Sequence, residues 1–313
     1  MTNLSEFTFL SSDGKTQLHG MLWEPEGVAV RAVLQICHGV AEHIARYDGF
    51  ARALNEQGIV VAGHDHLGHG KSLPEGGTPV YFGQGSTWNT VVDDIYILHQ
   101  RLKQRYPDAP LCIMGHSMGS FLTRTYLIRY PGTVKAAVIM GTGWQPQAAI
   151  TGGRALANAI AAVSGENATS ELVTELAFGS YNKLFAPNRT KVDWLSADES
   201  NVDDYIADPL CGADATVGLF RQMLHGIRFN QRQSHLRQMD REMPVLFVAG
   251  DKDPVGSCGK GVRQTYDAFR AAGMRDCTLK LYPGLRHEIL NEKAYTADIT
   301  KNIEAWLLSR LEK

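Results

Sequence analysis

Hydrophobic and polar positions alternate along this chain in two rhythms. "EFTFL" and "LHGMLW" repeat in period two, which predicts an antiparallel strand pair near the start. "RAVLQICHG" is a continuous apolar run, the pattern of a strand covered on both faces. "YDGFARALNEQG" carries an amphipathic helical pattern that stops at Gly58. Strand "IVVAGHD", helix "NTVVDDIYILHQRLKQRY", strand "PLCIMGHS", helix "GSFLTRTYLIRY" and strand "VKAAVIMG" follow. Repeated strand–helix–strand units predict a parallel sheet.

From about Trp144 to Met239 the strand rhythm is lost. This stretch holds the helical patterns "GRALANAIAAVSG" and "SELVTELAFGSYNKLF", then a polar loop, "APNRTKVDWLSADESNVDDY". Strand order resumes at "MPVLFVAGD", followed by helix "VRQTYDAFRAAG", strand "CTLKLYPG" and helix "YTADITKNIEAWLLSRL". The expected organisation is an α/β core of residues 1–143 and 240–313, with a mostly parallel eight-stranded sheet. Residues 144–239 are expected to form a helical lid inserted between two strands.

Composition changes this picture little. The 313 residues, 44% hydrophobic and 20% charged, suit one large α/β domain or a core with one insertion. A formal net charge of -2 with no basic run gives nucleic acid nothing to bind. No apolar run approaches the roughly 18 residues that a membrane-spanning helix needs. The opening "MTNLSEFTFLSSDGK" lacks the basic and apolar regions of a secretory signal. Five cysteines are scattered and never in a C-x-x-C pair, so reduced thiols in a cytoplasm are expected. The sequence assigns no oligomeric state.

"CIMGHSMGS" carries the chemistry. Gly115-His-Ser117-Met-Gly119 matches G-x-S-x-G, with an apolar strand before it and a helix after it. A serine on so tight a strand-to-helix turn needs glycine two residues to either side, where side chains would clash. Its Oγ then stands at a helix N-terminus, which favours developing negative charge. In this order of elements the acid and the histidine follow the serine. Of 11 histidines, only His287 lies beyond the point where the sheet resumes, in a loop after strand "TLKLY". The acid is expected at the end of the preceding strand, where Asp251 and Asp253 both stand. Asp253 is favoured because Pro254 stiffens its approach, and the other aspartate is left to cap the turn.

"HDHLGHG" places His64, His66 and His69 within six residues, which raises the question of a metal. Gly68 stands where a binuclear zinc set requires aspartate, and no later His or Cys cluster completes the ligands. The stretch is therefore read as a tight turn stabilised by Asp65, Gly68 and Gly70, buttressing the segment that begins at His38, and no metal is expected.

The chain resembles the α/β-hydrolase superfamily, in its monoacylglycerol lipase and lysophospholipase branch, over nearly its whole length. "HGVAEHIARY" is similar to that branch's His-Gly-x-x-Glu-His-x-x-Arg-Tyr segment, "DHLGHGKS" to its Asp-His-x-Gly-His-Gly-x-Ser loop, and "GHSMGS" to its elbow. Gly250-Asp-Lys-Asp253 and Tyr282-Pro-Gly284 before His287 match the family's approaches to its acid and base. The resemblance implies a catalytic triad of Ser117, Asp253 and His287 and an oxyanion hole from the backbone N–H groups of Val40 and Met118. It implies a serine hydrolase cleaving a single-chain lipid ester, without a cofactor, while the apolar stretches "LANAIAAV" and "ELVTELAF" of the insertion, beyond packing the lid onto the core, are the expected source of an acyl tunnel and of transient contact with a membrane surface. A serine aminopeptidase, a small-ester esterase and a non-catalytic ligand receptor on the same scaffold stand as alternatives.

Overall fold

The computed structural model describes residues 1–311. Among them the eight predicted strands form one sheet: β1 (Thr2–Leu10), β2 (Gln17–Pro25), β3 (Ala32–Cys37), β4 (Ile59–His64), β5 (Leu111–His116), β6 (Ala136–Met140), β7 (Val245–Gly250) and β8 (Cys277–Tyr282). Their spatial order is β1-β2-β4-β3-β5-β6-β7-β8. β2 runs antiparallel to both of its neighbours, and every pairing from β4 to β8 is parallel. The mostly parallel eight-stranded sheet expected from the sequence is the one observed.

Every residue of β3 to β7 is buried, which explains their unbroken apolar runs. Alternate side chains point to opposite faces. Val33, Ile113, Ile139 and Phe247 pack beneath α2 (Trp88–Arg105), α3 (Met118–Arg129) and α10 (Lys260–Ala271). Leu34, Met114, Val138 and Leu246 pack beneath α1 (Asp48–Asn55) and α11 (Thr296–Leu311).

Between β6 and β7 the chain forms α4 (Gln147–Ser164), α5 (Glu171–Thr174), α6 (Ser180–Lys183), α7 (Glu199–Ala207), α8 (Val217–Asn230) and α9 (Gln233–Leu236). Two expectations need correction here. The helix read through "SELVTELAFGSYNKLF" is broken by a π-helical turn at Glu175–Gly179. The stretch read as a polar loop contains α7, whose start is capped by Asp198 accepting from the Ser200 N–H. Its polar face looks outward while Asn201, Val202 and Tyr205 turn inward, so composition alone concealed a helix.

α8 ties the insertion to the core. The Trp88 Nε1–H donates to Thr125 Oγ1 at 2.8 Å, Thr125 Oγ1 donates to Asn230 Oδ1 at 2.8 Å, and Asn230 Nδ2 donates to the Phe121 carbonyl at 2.8 Å. The α8 backbone lies so close to the indole that a Cβ on Gly226 would meet Trp88 Cε2 at 2.1 Å. Gly226→Val is therefore expected to destabilise the protein by at least about 2 kcal/mol through overpacking. Chemical denaturation measures the loss, and limited proteolysis should then cut first within residues 144–239.

Candidate active site

Four loops at the carboxyl ends of β3, β5, β7 and β8 converge, where sites form in open parallel sheets. Ser117 stands between β5 and α3 with φ 52° and ψ −121°, a conformation that L-residues rarely adopt. Its glycine neighbours are required by space. A Cβ on Gly115 would lie 2.2 Å from the Gly119 carbonyl oxygen, and one on Gly119 would lie 2.0 Å from the Cys37 carbonyl oxygen. The helix that begins at Met118 is thus pressed against the end of β3.

His287 and Asp253 meet in the interior. His287 Nδ1 is 3.0 Å from Asp253 Oδ1, and both side chains are buried. Asp253 Oδ1 also accepts the Val255 N–H at 2.9 Å, which orients the carboxylate. Asp251 instead accepts the Gly284 N–H at 2.8 Å and caps the turn leading to His287. No hydrogen bond joins Ser117 Oγ to His287 among the described residues. The His287 ring packs against those of His116 and Trp194, with centroids at 4.7 Å and 5.1 Å and ring planes tilted by 40°.

Val40 and Met118 flank Ser117 along one cavity wall. Neither backbone N–H donates to a protein acceptor among the described residues, so both are free to meet an anion. Gly39 precedes Val40 in this segment. Its role is close approach, since a Cβ there would meet Glu42 Oε1 at 2.6 Å and Ser117 Cβ at 3.1 Å. The unusual backbone falls instead on Ala41, with φ 54°.

The histidine-rich loop supports this segment from below. The His66 N–H donates to His38 Nε2 at 3.0 Å, which leaves His38 Nδ1 as donor to the Gly39 carbonyl at 2.8 Å. Burial lowers the pKa of His64 to about 3 and of His69 to about 4, so these rings are neutral packing groups. The ring nitrogens of His64, His66 and His69 do not gather within 4.8 Å of one another. Asp65 binds the loop together: it accepts the N–H groups of Ile44 and Lys71 and pairs with His19.

A buried ion network surrounds the same segment. Arg46 bonds Glu42 Oε2 at 2.9 Å and holds both oxygens of Glu288 at 2.7 Å. Glu42 Oε1 accepts the Gly39 N–H at 2.5 Å and lies 3.1 Å from His116 Nδ1. Burial opposes ionisation of both glutamates. For Glu42, His116 and Arg46 outweigh that cost; for Glu288, Arg46 does, and both carboxyls are held below the usual range. Burial likewise opposes a charge on His116, yet Glu42 raises its pKa, and His116 Nε2 lies 3.3 Å from the His287 carbonyl. Glu42, His43 and Arg46 lie close together in the segment HGVAEHIARY and could form one local group. Only Glu42 and Arg46 do, because His43 Nε2 turns to Asp208 at 2.7 Å. Sequence reasoning missed Glu288 and Trp194; the signal for the latter was a lone tryptophan in an otherwise polar run.

An apolar cavity of about 350 Å³ opens on Ser117. The core supplies Val40, Met118, Phe121 and Val255 to its wall, and the insertion supplies Ile150, Leu156, Val173, Phe220 and Leu224 among others. No charged side chain lines it among the described residues. Cys258 is exposed and stands outside the cavity lining.

Residues 28–294 match the family described as serine aminopeptidase, S33. The chain is 31% identical to the monoacylglycerol lipase of Mycolicibacterium smegmatis over 98% of both chains. It is 28% identical to the monoglyceride lipase of Mus musculus over 96% of this chain and 90% of that one. In structure it is similar to a thermostable carboxyl esterase from Bacillus coagulans solved in complex with glycerol, with TM-score 0.92, 26% identity, and coverage of 99% of this chain and 100% of that one.

The ion network yields a pH-dependent prediction. Glu42 and Glu288 have folded pKa values below their unfolded ones, so their stabilisation is present above the ordinary carboxylate range and lost as pH falls through the folded values. Arg46→Met strands two buried carboxylates and should cost about 3–5 kcal/mol at neutral pH. The difference from the parent protein should shrink as pH falls, because the stranded glutamates, which burial holds above the ordinary carboxylate range, take up protons first, and the parent loses its own stabilisation only as pH drops through its lowered values. Urea denaturation across that range measures it.

Proposed function

Because the chain belongs to the serine aminopeptidase S33 family and is a carboxylic ester hydrolase, we propose that it cleaves single-chain lipid esters, such as monoacylglycerols or lysophospholipids, through an acyl-enzyme on Ser117. The observation that carries this reading is the uncharged apolar cavity that opens directly on that serine.

In this mechanism Ser117 Oγ attacks the ester carbonyl while His287 Nε2 takes its proton. Asp253 holds His287 Nδ1–H, which fixes the tautomer and stabilises the imidazolium as it forms. The N–H groups of Val40 and Met118 receive the tetrahedral oxyanion, each such donor being worth about 10²–10³ in rate. His287 then protonates the departing alcohol, and a water that it activates cleaves the acyl-enzyme.

We assign residues 144–239 the role of a lid, supported by the many cavity-lining side chains they provide. Val163, Leu172, Leu176 and Leu184 are exposed on this insertion, and Leu176 also lines the cavity. Transient contact with a lipid surface through these leucines would deliver a substrate to the entrance. An aminopeptidase must neutralise a protonated N-terminal amine, and the cavity offers no carboxylate for that purpose.

Three outcomes test the proposal. A fluorophosphonate should label Ser117 alone, and Asp253→Asn should lower kcat by about 10⁴ while Asp251→Asn has a much smaller effect; peptide mapping of the label and steady-state kinetics decide this. On a series of glycerol monoesters, kcat/KM should climb from acetyl to medium chains, because each buried CH₂ contributes about 0.8 kcal/mol until the cavity is full. A flat or falling profile, or efficient release of N-terminal amino acids from peptides, would overturn the lipid assignment.

A further inference from the structure

Outside the candidate active site, one group of chemically capable side chains bridges the core and the insertion. His43 follows β3 in the core segment 38–47, while Asp208 caps the end of α7 and Cys211 lies three residues beyond it. One ligand atom from each lies within 4.8 Å of the other two, the only such trio among the described residues. His43 is buried, and Asp208 and Cys211 are half-buried.

We propose that His43, Asp208 and Cys211 form a binding site for one zinc-class divalent ion, which clamps the insertion onto the core. The donor set of one imidazole, one carboxylate and one thiolate suits a borderline transition ion and not the hard, oxygen-seeking magnesium or calcium. Tetrahedral zinc with donors at about 2.0–2.3 Å needs ligand atoms roughly 3.3–3.6 Å apart. The present His43 Nε2 to Asp208 Oδ2 hydrogen bond of 2.7 Å would open by less than an ångström, and solvent would supply the fourth position.

The charge balance closes. The ion displaces the Cys211 thiol proton to solvent, and the His43 proton moves from Nε2 to Nδ1, so the ring stays neutral. Two positive charges are met by one thiolate and one carboxylate, leaving a neutral site. The neighbouring cation, Arg46, is already committed to Glu42 and Glu288. Backbone contacts preorganise the site: the Gly212 N–H and the Tyr205 hydroxyl both donate to the Ala41 carbonyl at 3.0 Å.

Cobalt(II) and zinc(II) titrations of the full-length protein under reducing conditions test this. The wild type should bind one equivalent, show a near-ultraviolet thiolate-to-cobalt charge-transfer band, and melt at higher temperature with zinc. Cys258→Ser, which removes the exposed competing thiol, should retain the band and the affinity. Cys211→Ser should lose the band, and both Cys211→Ser and His43→Gln should bind zinc at least about tenfold more weakly. Esterase activity of Cys211→Ser in metal-free buffer should match the wild type, establishing that it is folded. Absence of binding by the wild type, or a band that survives Cys211→Ser and disappears with Cys258→Ser, overturns the proposal. If Cys211→Ser does not fold, His43→Gln and Cys258→Ser decide it by the same measurements.

Discussion

Arg46 lies between Glu42 and Glu288 with all three side chains almost out of water. Its position makes three chain segments depend on one another. Glu42 grips the backbone of Gly39, one residue before Val40; Glu288 follows His287; and Glu288 Oε2 also accepts from Asn201 on α7 of the insertion. Ions cost several kcal/mol each to desolvate, so such an arrangement survives only when every partner is in place. The consequence is a shared geometry: the loop that supplies Val40, the loop that supplies His287 and the insertion adopt their places together. His116 extends this coupling to the elbow, since its imidazole joins Glu42 to the carbonyl of His287 while its backbone precedes Ser117.

The sheet was almost wholly legible in the sequence, because strands covered on two faces have no choice but to be apolar throughout. β3 to β7 are of this kind, and their apolar runs match their observed bounds within a few residues. Ser117 was legible through its flanking glycines, for the same steric reason seen at the Cys37 carbonyl. The choice between Asp251 and Asp253 was open on spacing alone; the structure separates them by directing one carboxylate to a backbone N–H and the other to an imidazole.

The insertion was less legible, and the reason is physical. Its helices bury narrow stripes against the core and against one another, so their patterns are diluted by exposed polar residues. α7 hid within a polar run, and a helix was read straight through the π-turn at Glu175–Gly179 because periodicity does not register one extra residue in a turn. Glu288 went unread because its partner Arg46 lies 242 residues away, and a buried charge announces itself only once its partner is known.

Among the adjoining strands β3, β5, β6, β7 and β8, β6 alone is followed by none of the proposed nucleophile, acid, base and oxyanion donors. It lies between the strand of Ser117 and the strand of Asp253, and its end must stay slender: a Cβ on Gly141 would meet His287 Cε1 at 3.1 Å and His116 Cδ2 at 3.2 Å. The insertion departs from this strand, beginning a few residues past Gly141. The segment that lines much of the cavity is therefore hung on a strand that carries no proposed reacting group. Changes in its cavity-lining side chains leave the register of the neighbouring strands untouched. The freedom is bounded: side chains that only line the cavity can change, whereas Trp194 and Asn201, which meet His287 and Glu288, are tied to the core.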